Sequence, residues 1–265
     1  MHKLSATNGL TKRASKKSPL TQTGFIQSWW LRGLLVVCAL GAFIALQVDR
    51  NPLPDFAEYQ NVGQKKVAFF DYMLPMVIER NQYMLDQRAE LELLVSAEPH
   101  NAAELSQISQ FASDYGLQAE ADSQKLLQQL LMRVDEIPPS LALAQAAIES
   151  AWGTSRFAVQ GNNLFGQWCY KKGCGLVPLR RDSGSRHEVA KFSSVTQSVN
   201  AYMRNLNTHR AYSDLRANRA QLKATEQNVT GHLLAANLLD YSELREVYVE
   251  EIRAVIRINK LAQYD

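Results

Sequence analysis

Glu149 is the residue of this chain best placed to do chemistry, and it lies in the segment from Ser140 to Trp168. Apolar or small residues precede it at helical spacing, for example Ala144 and Ile148. Its carboxyl group should therefore lie at the edge of an apolar helix face, close to Gly153, where we expect the helix to end. Partial burial disfavours the charged form of a carboxyl group and raises its pKa, as a general acid working near neutral pH requires.

The helix that carries Glu149 should begin after Pro138-Pro139, with Ser140 as its N-cap. Gln145 lies about one turn before the glutamate. Trp152 lies three residues after it and is expected to press against its carboxyl group. The alternative interpretation is an ordinary glutamate near a helix end, on a solvated face.

Two strings around Glu149 carry a family resemblance. AQAAIESAWG, followed ten residues later by NNLFG, resembles the signature of bacterial glucosaminidase domains, glycoside hydrolase family 73. The resemblance runs from about Asp135 to the C-terminus. Across most of the chain the sequence is similar to the Bax-type bacterial subgroup, with FDYMLPMVIERN as a second shared block. The resemblance implies a lysozyme-like α-fold, cleavage of the glycan strands of peptidoglycan, and Glu149 as the catalytic acid.

The same resemblance implies further site residues. Tyr241 matches a family tyrosine that lines the active site near the acid, where it would position water or stabilise the transition state; the alternative is a core tyrosine. Tyr212 is expected in the core or the cleft wall, and Tyr248 in the apolar stripe of the last helix. The expected substrate contacts, from apolar walls and from amide groups, are Gln145, Trp152, Asn162, Asn163, Phe165 and Trp168.

A second catalytic carboxylate can come, in this family, from a small β-lobe over the cleft. The segment Val177–Phe192 predicts a two-stranded hairpin that turns at residues 182–184. No glutamate stands where the family acid usually falls, so Asp182 and Glu188 are the available carboxylates. The alternatives are a turn residue for Asp182 and an exposed strand charge for Glu188. His187 is expected at the surface.

Cys169 and Cys174 are separated by four residues, and outside the cytoplasm they predict a disulfide that closes a small loop. Two cysteines with no nearby histidine pair make at best half a zinc site, so we expect no metal. We also find no phosphate-binding loop, dinucleotide fingerprint or H-E-x-x-H motif, and we expect no cofactor.

The N-terminal region predicts a membrane anchor. Residues 1–24 are rich in Ser, Thr and Lys and predict a cytoplasmic tail, and 25–48 predict a transmembrane helix. Sixteen of the 20 residues in Trp29–Val48 are apolar, which is just enough to span a bilayer. The basic flank before the span places the N-terminus in the cytoplasm and the catalytic domain in the periplasm, as a single-pass protein of the bacterial inner membrane. The alternative is a cleaved signal peptide with its core at Gly33–Leu46.

Charge is unevenly distributed along the chain. Residues 1–50 hold seven of the 29 Lys and Arg residues and one of the 26 acids. The remaining 22 basic and 25 acidic residues give 51–265 a net charge of −3, which makes no case for nucleic-acid binding. The expected partners are peptidoglycan glycan strands and the cytoplasmic membrane.

The rest of the chain predicts a mostly α-helical fold. After a linker over 49–61, we expect a helical extension over 62–134, packed on a catalytic domain that spans 135–265. Pro75 should start or kink a helix. A separate protein-binding module is the alternative for the extension. The predicted helices are Val62–Ala97, Asn101–Tyr115, Ala119–Val134, the Glu149 helix, one capped by Ser193-Ser194, Ala220–Leu239 and Ser242–Leu261.

The overall prediction is a lysozyme-like α-domain with a small β-hairpin lobe, preceded by one transmembrane helix. The predicted activity is hydrolysis of the β-1,4 bond on the reducing side of N-acetylglucosamine in peptidoglycan. Two alternatives remain: a lytic transglycosylase acting on the same strands, and a non-catalytic scaffold that binds them.

Overall fold

The computed structural model describes residues 51–265, except 98, 119, 121, 180–183, 185, 240 and 242–244. The predicted cytoplasmic tail and membrane span lie outside these residues. Within the described part of the chain, no helix is both long and apolar enough to cross a bilayer. Residues 51–265 form one compact unit. It is mostly helical, which is consistent with the predicted lysozyme-like α-domain.

The described helices and strands follow a simple order. The α-helices are α1 (Val62–Ser96), α2 (Ala102–Asp114), α3 (Ser123–Arg133), α4 (Pro139–Glu149), α5 (Arg156–Gly161), α6 (Val195–Thr208), α7 (Ser213–Ala224), α8 (Gly231–Leu234) and α9 (Glu246–Ile258). Short 3₁₀ turns lie at Arg210–Tyr212, Ala235–Asn237 and Leu261–Tyr264. Strands β1 (Trp168–Cys169), β2 (Gly175–Leu176) and β3 (Glu188–Ala190) lie between α5 and α6.

Helix α1 is continuous over 35 residues and passes through Pro75, so Pro75 does not start a helix, and the alternative prediction of a kink at Pro75 stays a prediction. Proline lacks the N–H that would bond one turn back, and this loss normally destabilises a helix interior. Here Met73, Met76 and Val77 are buried beside it. Apolar burial on both sides of the proline offsets the missing hydrogen bond.

Side-chain caps fix where α2 and α3 begin. Asn101 caps α2 and forms a reciprocal capping box with Glu104. Asp122 accepts hydrogen bonds from the first backbone N–H groups of α3, so that helix starts at Ser123 and not at Ala119 as predicted.

Two apolar clusters hold the fold together. The central cluster surrounds α4 and contains the first part of α1 together with α6 and α9; the outer cluster joins the end of α1 to α2 and α3. Phe56, within the predicted linker, is 1% exposed and belongs to the central cluster. Its ring packs edge-on against Phe69 and Tyr72. The linker interpretation missed this contact because one aromatic residue between polar neighbours gives no periodic signal.

The β-lobe differs from the predicted hairpin. β3 pairs antiparallel with both β1 and β2, in the order β1-β3-β2, so Val189 lies opposite Trp168 on one side and Leu176 on the other. The predicted antiparallel pairing is present between β2 and β3, but the first strand lies before Val177, and β1 adds a strand that was not predicted. The backbone groups on both edges of β3 find partners, and the third strand comes from the segment that carries Trp168.

The C-terminal helices are shorter than predicted. α7 ends at Ala224, and Glu226 follows with a φ of 54°, a conformation that breaks a helix. Thr230 then caps the short α8. The last helix covers Glu246–Ile258 and is followed by Lys260 at a φ of 54°, so it does not reach Leu261.

Candidate active site

Helix α4 positions Glu149 and is buried over most of its length. Pro138 stands at its N-cap position without a side-chain hydrogen bond, so Ser140 is not the N-cap that we predicted. Ser140 lies inside the helix, where its backbone N–H and its Oγ donate to the carboxylate of Asp265 at 2.8 and 2.6 Å. Asp265 therefore supplies the cap. Since Pro139 through Ala147 are all buried, the helix holds its last residue in a fixed place.

Helix α4 ends at Glu149 itself, four residues earlier than predicted. Ala151, Trp152 and Gly153 follow with φ values of 50°, 60° and 77°, which turn the chain sharply. A side chain at Gly153 would place its Cβ 2.4 Å from the ring of Phe56, so glycine is required there by both space and backbone conformation. The sharp turn leaves the carboxyl group of Glu149 at the open end of a rigid helix.

The carboxyl group of Glu149 is half-buried and has a defined partner on one oxygen. Its Oε1 accepts a hydrogen bond of 2.8 Å from the hydroxyl of Tyr248. Burial raises the pKa of Glu149 above its ordinary value, and the charge of Glu251 raises it further, while the Tyr248 hydrogen bond lowers it. The net direction is upward, as a general acid requires.

Glu149 opens onto a cleft of about 680 Å³. The cleft combines aromatic surfaces with a few polar side chains, a composition typical of ligand sites. Its lining residues are Glu149, Phe165, Gly166, Gln167, Trp168, Tyr170, Asn205, His209, Ala211, Tyr212, Leu239, Tyr241 and Arg245.

Phe165, Trp168 and Tyr241 were predicted for the site, and all three line the cleft beside Glu149. Trp168 is 58% exposed and stacks on His187 with ring centroids 4.1 Å apart. The hydroxyl of Tyr241 donates to the Phe165 carbonyl at 2.8 Å.

Two predicted substrate contacts lie away from the cleft lining. Gln145 is fully buried, and its amide bonds to tyrosine hydroxyls inside the core. Trp152 packs edge-on against Phe69 and Phe70, beneath the ammonium group of Lys66. After the chain turns through positive φ, the indole packs on α1 and belongs to the packing around the central cluster. Its predicted contact with Glu149 stays a prediction.

Asn162 and Asn163 serve the backbone of the lobe. Asn162 adopts a left-handed conformation at the end of α5, and its Nδ2 donates to the carbonyl of Phe192 at 3.2 Å. Asn163 is buried, and its Nδ2 donates to the carbonyls of Gln167 and Ala190, each at 2.9 Å. These bonds fix the strands to the helical core, so the two amides already have internal partners where sugar contacts were expected.

The two predicted second carboxylates have different outcomes. Asp182 lies outside the described residues, so its role stays a prediction. Glu188 is 5% exposed, and its two oxygens accept hydrogen bonds from the N–H groups of Gly173 and Gly175 at 3.0 and 2.9 Å. The interpretation of Glu188 as an exposed strand charge is wrong, because the loop between β1 and β2 folds over it.

Cys169 and Cys174 are joined by the predicted disulfide, which closes this same loop. Their sulfurs and a carboxylate oxygen of Glu188 lie within 4.8 Å of one another. Sulfur atoms held in a disulfide are not thiolates, and zinc binds the thiolate form. The disulfide and the hydrogen bonds to Glu188 therefore stabilise the loop between β1 and β2.

Tyr248 is the main functional residue that sequence reasoning missed. It had been placed in the apolar stripe of the last helix, and it is indeed buried, at 3% exposed. Its hydroxyl, however, reaches Glu149 from α9. The available signal was a hydroxyl group within an otherwise apolar stripe, since a buried tyrosine hydroxyl needs a partner.

A half-buried acid at a helix end, in an aromatic cleft of a helical domain with a small β-lobe, is consistent with a lysozyme-like α-domain. Residues 125–261 match the family model of the Glucosaminidase domain, described as mannosyl-glycoprotein endo-beta-N-acetylglucosaminidase. The chain therefore belongs to the glucosaminidase family, whose members are glycosidase-type enzymes that act on glycans.

Comparison with a curated relative identifies the subgroup of the family as the Bax type. The chain is 35% identical over 211 residues to Protein bax of Escherichia coli (strain K12), covering 79% of this chain and 75% of the relative. It is thus a Bax-type protein with a glucosaminidase domain. No solved structure matches it.

Proposed function

We propose that this protein is a peptidoglycan hydrolase that cleaves the β-1,4 bond on the reducing side of N-acetylglucosamine, with Glu149 as the general acid. The observation that carries the proposal is the half-buried carboxyl group of Glu149, with its raised pKa, at the open end of α4 in a cleft of about 680 Å³. The family's action on glycans and the aromatic surface of the cleft support a sugar substrate.

In this mechanism Glu149 donates a proton to the glycosidic oxygen as its bond to the anomeric carbon breaks. Positive charge then develops on the sugar ring, and a water molecule adds to that carbon while it gives up a proton to a second carboxylate. The exposed rings of Trp168 and Tyr170 offer flat apolar faces against which sugar rings can stack. The hydroxyl proton of Tyr241 is engaged by Phe165, so its oxygen acts towards water as an acceptor.

Among the described residues that line the cleft, Glu149 is the one carboxylate. Asp182 remains our proposal for the second, contributed by the segment between β2 and β3. In the assay below, loss of turnover by Asp182→Asn with the fold intact supports this role, and full activity removes it.

We also propose that residues 25–48 anchor the protein in the bacterial inner membrane with the enzyme in the periplasm. The support is the apolar run behind a basic flank. Extraction of cell membranes with alkaline carbonate tests the anchor: the protein should stay in the pellet, and its release into the supernatant would contradict the proposal.

The decisive experiment compares the purified protein with Glu149→Gln on peptidoglycan, followed by mass spectrometry of the products. The substitution keeps the shape of the side chain and removes the acid. We expect fragments with a reducing N-acetylglucosamine end from the wild type and none from the variant. Glu250→Gln, an exposed carboxylate on α9, is the matched control and should retain activity.

The other outcomes identify the alternatives. A fully active Glu149→Gln protein would remove Glu149 from the mechanism. Anhydromuramyl ends in the product would make the enzyme a lytic transglycosylase. Binding of the strands without cleavage, by protein shown to be folded, would make it a scaffold.

A further inference from the structure

A chain of hydrogen bonds runs through the core and ends on Glu149. The hydroxyl of Tyr202 donates to Oε1 of Gln145 at 2.5 Å. The Nε2 of Gln145 donates to the hydroxyl of Tyr248 at 2.9 Å, and that hydroxyl donates to Oε1 of Glu149 at 2.8 Å. Tyr202, Gln145 and Tyr248 are buried, and all three lie behind the cleft surface.

The chain of hydrogen bonds has one direction, from Tyr202 to Glu149. A phenol has a single proton, and an amide presents donors on one side and an acceptor on the other. Tyr248 accepts from Gln145, so its own proton is available to Glu149. If the amide of Gln145 were reversed, its oxygen would face Tyr248 and draw that proton away from Glu149. In the orientation that the structure shows, with Nε2 of Gln145 towards Tyr248, every donor is directed towards the acid.

Tyr202, at the end of the hydrogen-bond chain that lies farthest from Glu149, is held in place by packing. Tyr202 is 1% exposed, and its ring stacks on Phe165 with centroids 3.9 Å apart and planes 7° apart. Tyr202 lies on α6, whereas Gln145 is on α4 and Tyr248 on α9. Three elements must therefore stay in register for the donor to reach the carboxyl group.

We propose that Tyr202, Gln145 and Tyr248 are positioning residues that decide which oxygen of Glu149 carries the catalytic proton. A neutral carboxyl group has one carbonyl oxygen, which accepts hydrogen bonds, and one hydroxyl oxygen, which donates. The donor from Tyr248 makes Oε1 the accepting oxygen. The proton consequently resides on Oε2, and this inference rests on the proposed role of Glu149 as general acid.

The surroundings of Oε2 fit this assignment. A Cβ at Gly166 would lie 3.3 Å from Oε2, and Gly166 has a φ of 63° and lines the cleft. Any side chain here would crowd the space that a glycosidic oxygen must enter. The bond from Tyr241 to the carbonyl of Phe165 fixes the peptide just before this glycine. The proton-bearing oxygen thus faces substrate, and the other oxygen faces the core.

Several other groups act on the same carboxyl group. Glu251 on α9 raises its pKa, and the phenols of Tyr202 and Tyr241 interact with it electrostatically. The cleft also contains His209, Tyr212 and Arg245. Apart from the phenol that is replaced, these groups remain in place when one tyrosine of the hydrogen-bond chain is changed to phenylalanine. Since Tyr248 is not one of these groups, a shift in the titration of Glu149 in Tyr248→Phe reports the hydrogen bond that was removed.

The test compares Tyr248→Phe and Tyr202→Phe with the wild type in two measurements: the pH profile of kcat/KM on peptidoglycan, and a carbon-13 NMR titration of the Glu149 carboxyl group. Loss of the Tyr248 donor removes a bond that favours the carboxylate, so the pKa of Glu149 should rise by about one pH unit. The alkaline limb of the profile should move upwards with it, and kcat should fall while KM changes little. Tyr202→Phe should raise the pKa of Glu149 and move the alkaline limb in the same direction, but by a smaller amount.

Tyr115→Phe is the matched control. Tyr115 is also buried and donates to a glutamine, Gln87, at 2.6 Å, but it lies in the outer cluster away from Glu149. The Tyr115→Phe variant should have a lower melting temperature and an unchanged titration of Glu149. If Tyr248→Phe and Tyr202→Phe also lower only the melting temperature, the chain is merely structural and the proposal fails. Because the NMR titration requires no turnover, it tests the chain even if Glu149→Gln proves active and the proposed function falls.

Discussion

At the scale of single residues, two glutamates in this domain show how surroundings decide the use of the same carboxyl group. Both carboxylate oxygens of Glu188 accept hydrogen bonds from backbone N–H groups, and these bonds stabilise the β-lobe. Glu149 has one tyrosine partner and an opening to the cleft, and burial raises its pKa. The first arrangement stabilises a loop, whereas the second suits the general acid that we propose.

The raised pKa of Glu149 has a consequence for stability. The folded state binds this proton more tightly than the unfolded state, so the contribution of Glu149 to stability is fully present below the unfolded pKa and is lost as the pH rises through the folded pKa. Glutamine does not ionise, so Glu149→Gln removes the loss of stability that accompanies rising pH. We expect the variant to melt at a higher temperature than the wild type at pH 8, with the difference shrinking towards pH 4, as measured by circular dichroism. A difference that is constant with pH would show that burial of Glu149 is not costly.

At the scale of elements, the feature that matters most is the way α4 begins. Proline at the N-cap position offers no side-chain oxygen, and the carboxylate of Asp265 supplies it from the other end of the domain. The same carboxylate accepts from the N–H of Gly231 at 2.9 Å, where α8 starts. One side chain therefore serves the first turns of two helices and ties the C-terminal segment to the helix that carries the acid.

Asp265→Ala should lower the free energy of unfolding by about 1–2 kcal/mol, the usual effect of losing a helix cap. The midpoint of urea denaturation measures this. Gln263→Ala, an exposed substitution in the 3₁₀ turn just before Asp265, is the control and should change little. Equal midpoints for the two variants would mean that Asp265 does not act as the cap.

At the scale of the whole molecule, α1 belongs to both apolar clusters. Its first part contributes Phe69, Phe70, Met73, Met76, Val77 and Met84 to the central cluster around α4, and its end contributes Leu91 and Leu94 to the outer one. Asp135, 3% exposed, adds an ionic link through Arg88 on α1 and Lys223 on α7, at 3.4 and 2.7 Å. The segment matched to the family, 125–261, is therefore packed against a helix that precedes it.

We expect residues 125–265 alone to show no cooperative thermal unfolding, and residues 51–265 to unfold in one transition. Six α1 side chains leave the central cluster in the shorter fragment. At about 1.5–3 kcal/mol each, their burial is comparable with the entire 5–15 kcal/mol stability of a typical domain. Circular dichroism during heating distinguishes the two, and a cooperative transition in the shorter fragment would show that α1 is dispensable for folding.

The sequence by itself determined the family, the helical class and the pairing of Cys169 with Cys174, and it singled out Glu149 as the candidate acid. These features are local: a short motif, a hydrophobic period or a pair of close cysteines is complete within a few residues. Helix ends were less well predicted, because positive φ values at Glu226 and Lys260 and a cap from Asp265 depend on packing that no local pattern records.

Only the tertiary structure decided which groups meet Glu149. Tyr248 is 99 residues away along the chain, and Tyr202 is 57 residues from Gln145. A polar residue in a helical stripe is equally compatible with a core contact and with a site, and the choice depends on which helices pack together. For the same reason Gln145, Asn163 and Trp152 support the cleft from behind its lining: each side chain has an internal partner that is distant in sequence.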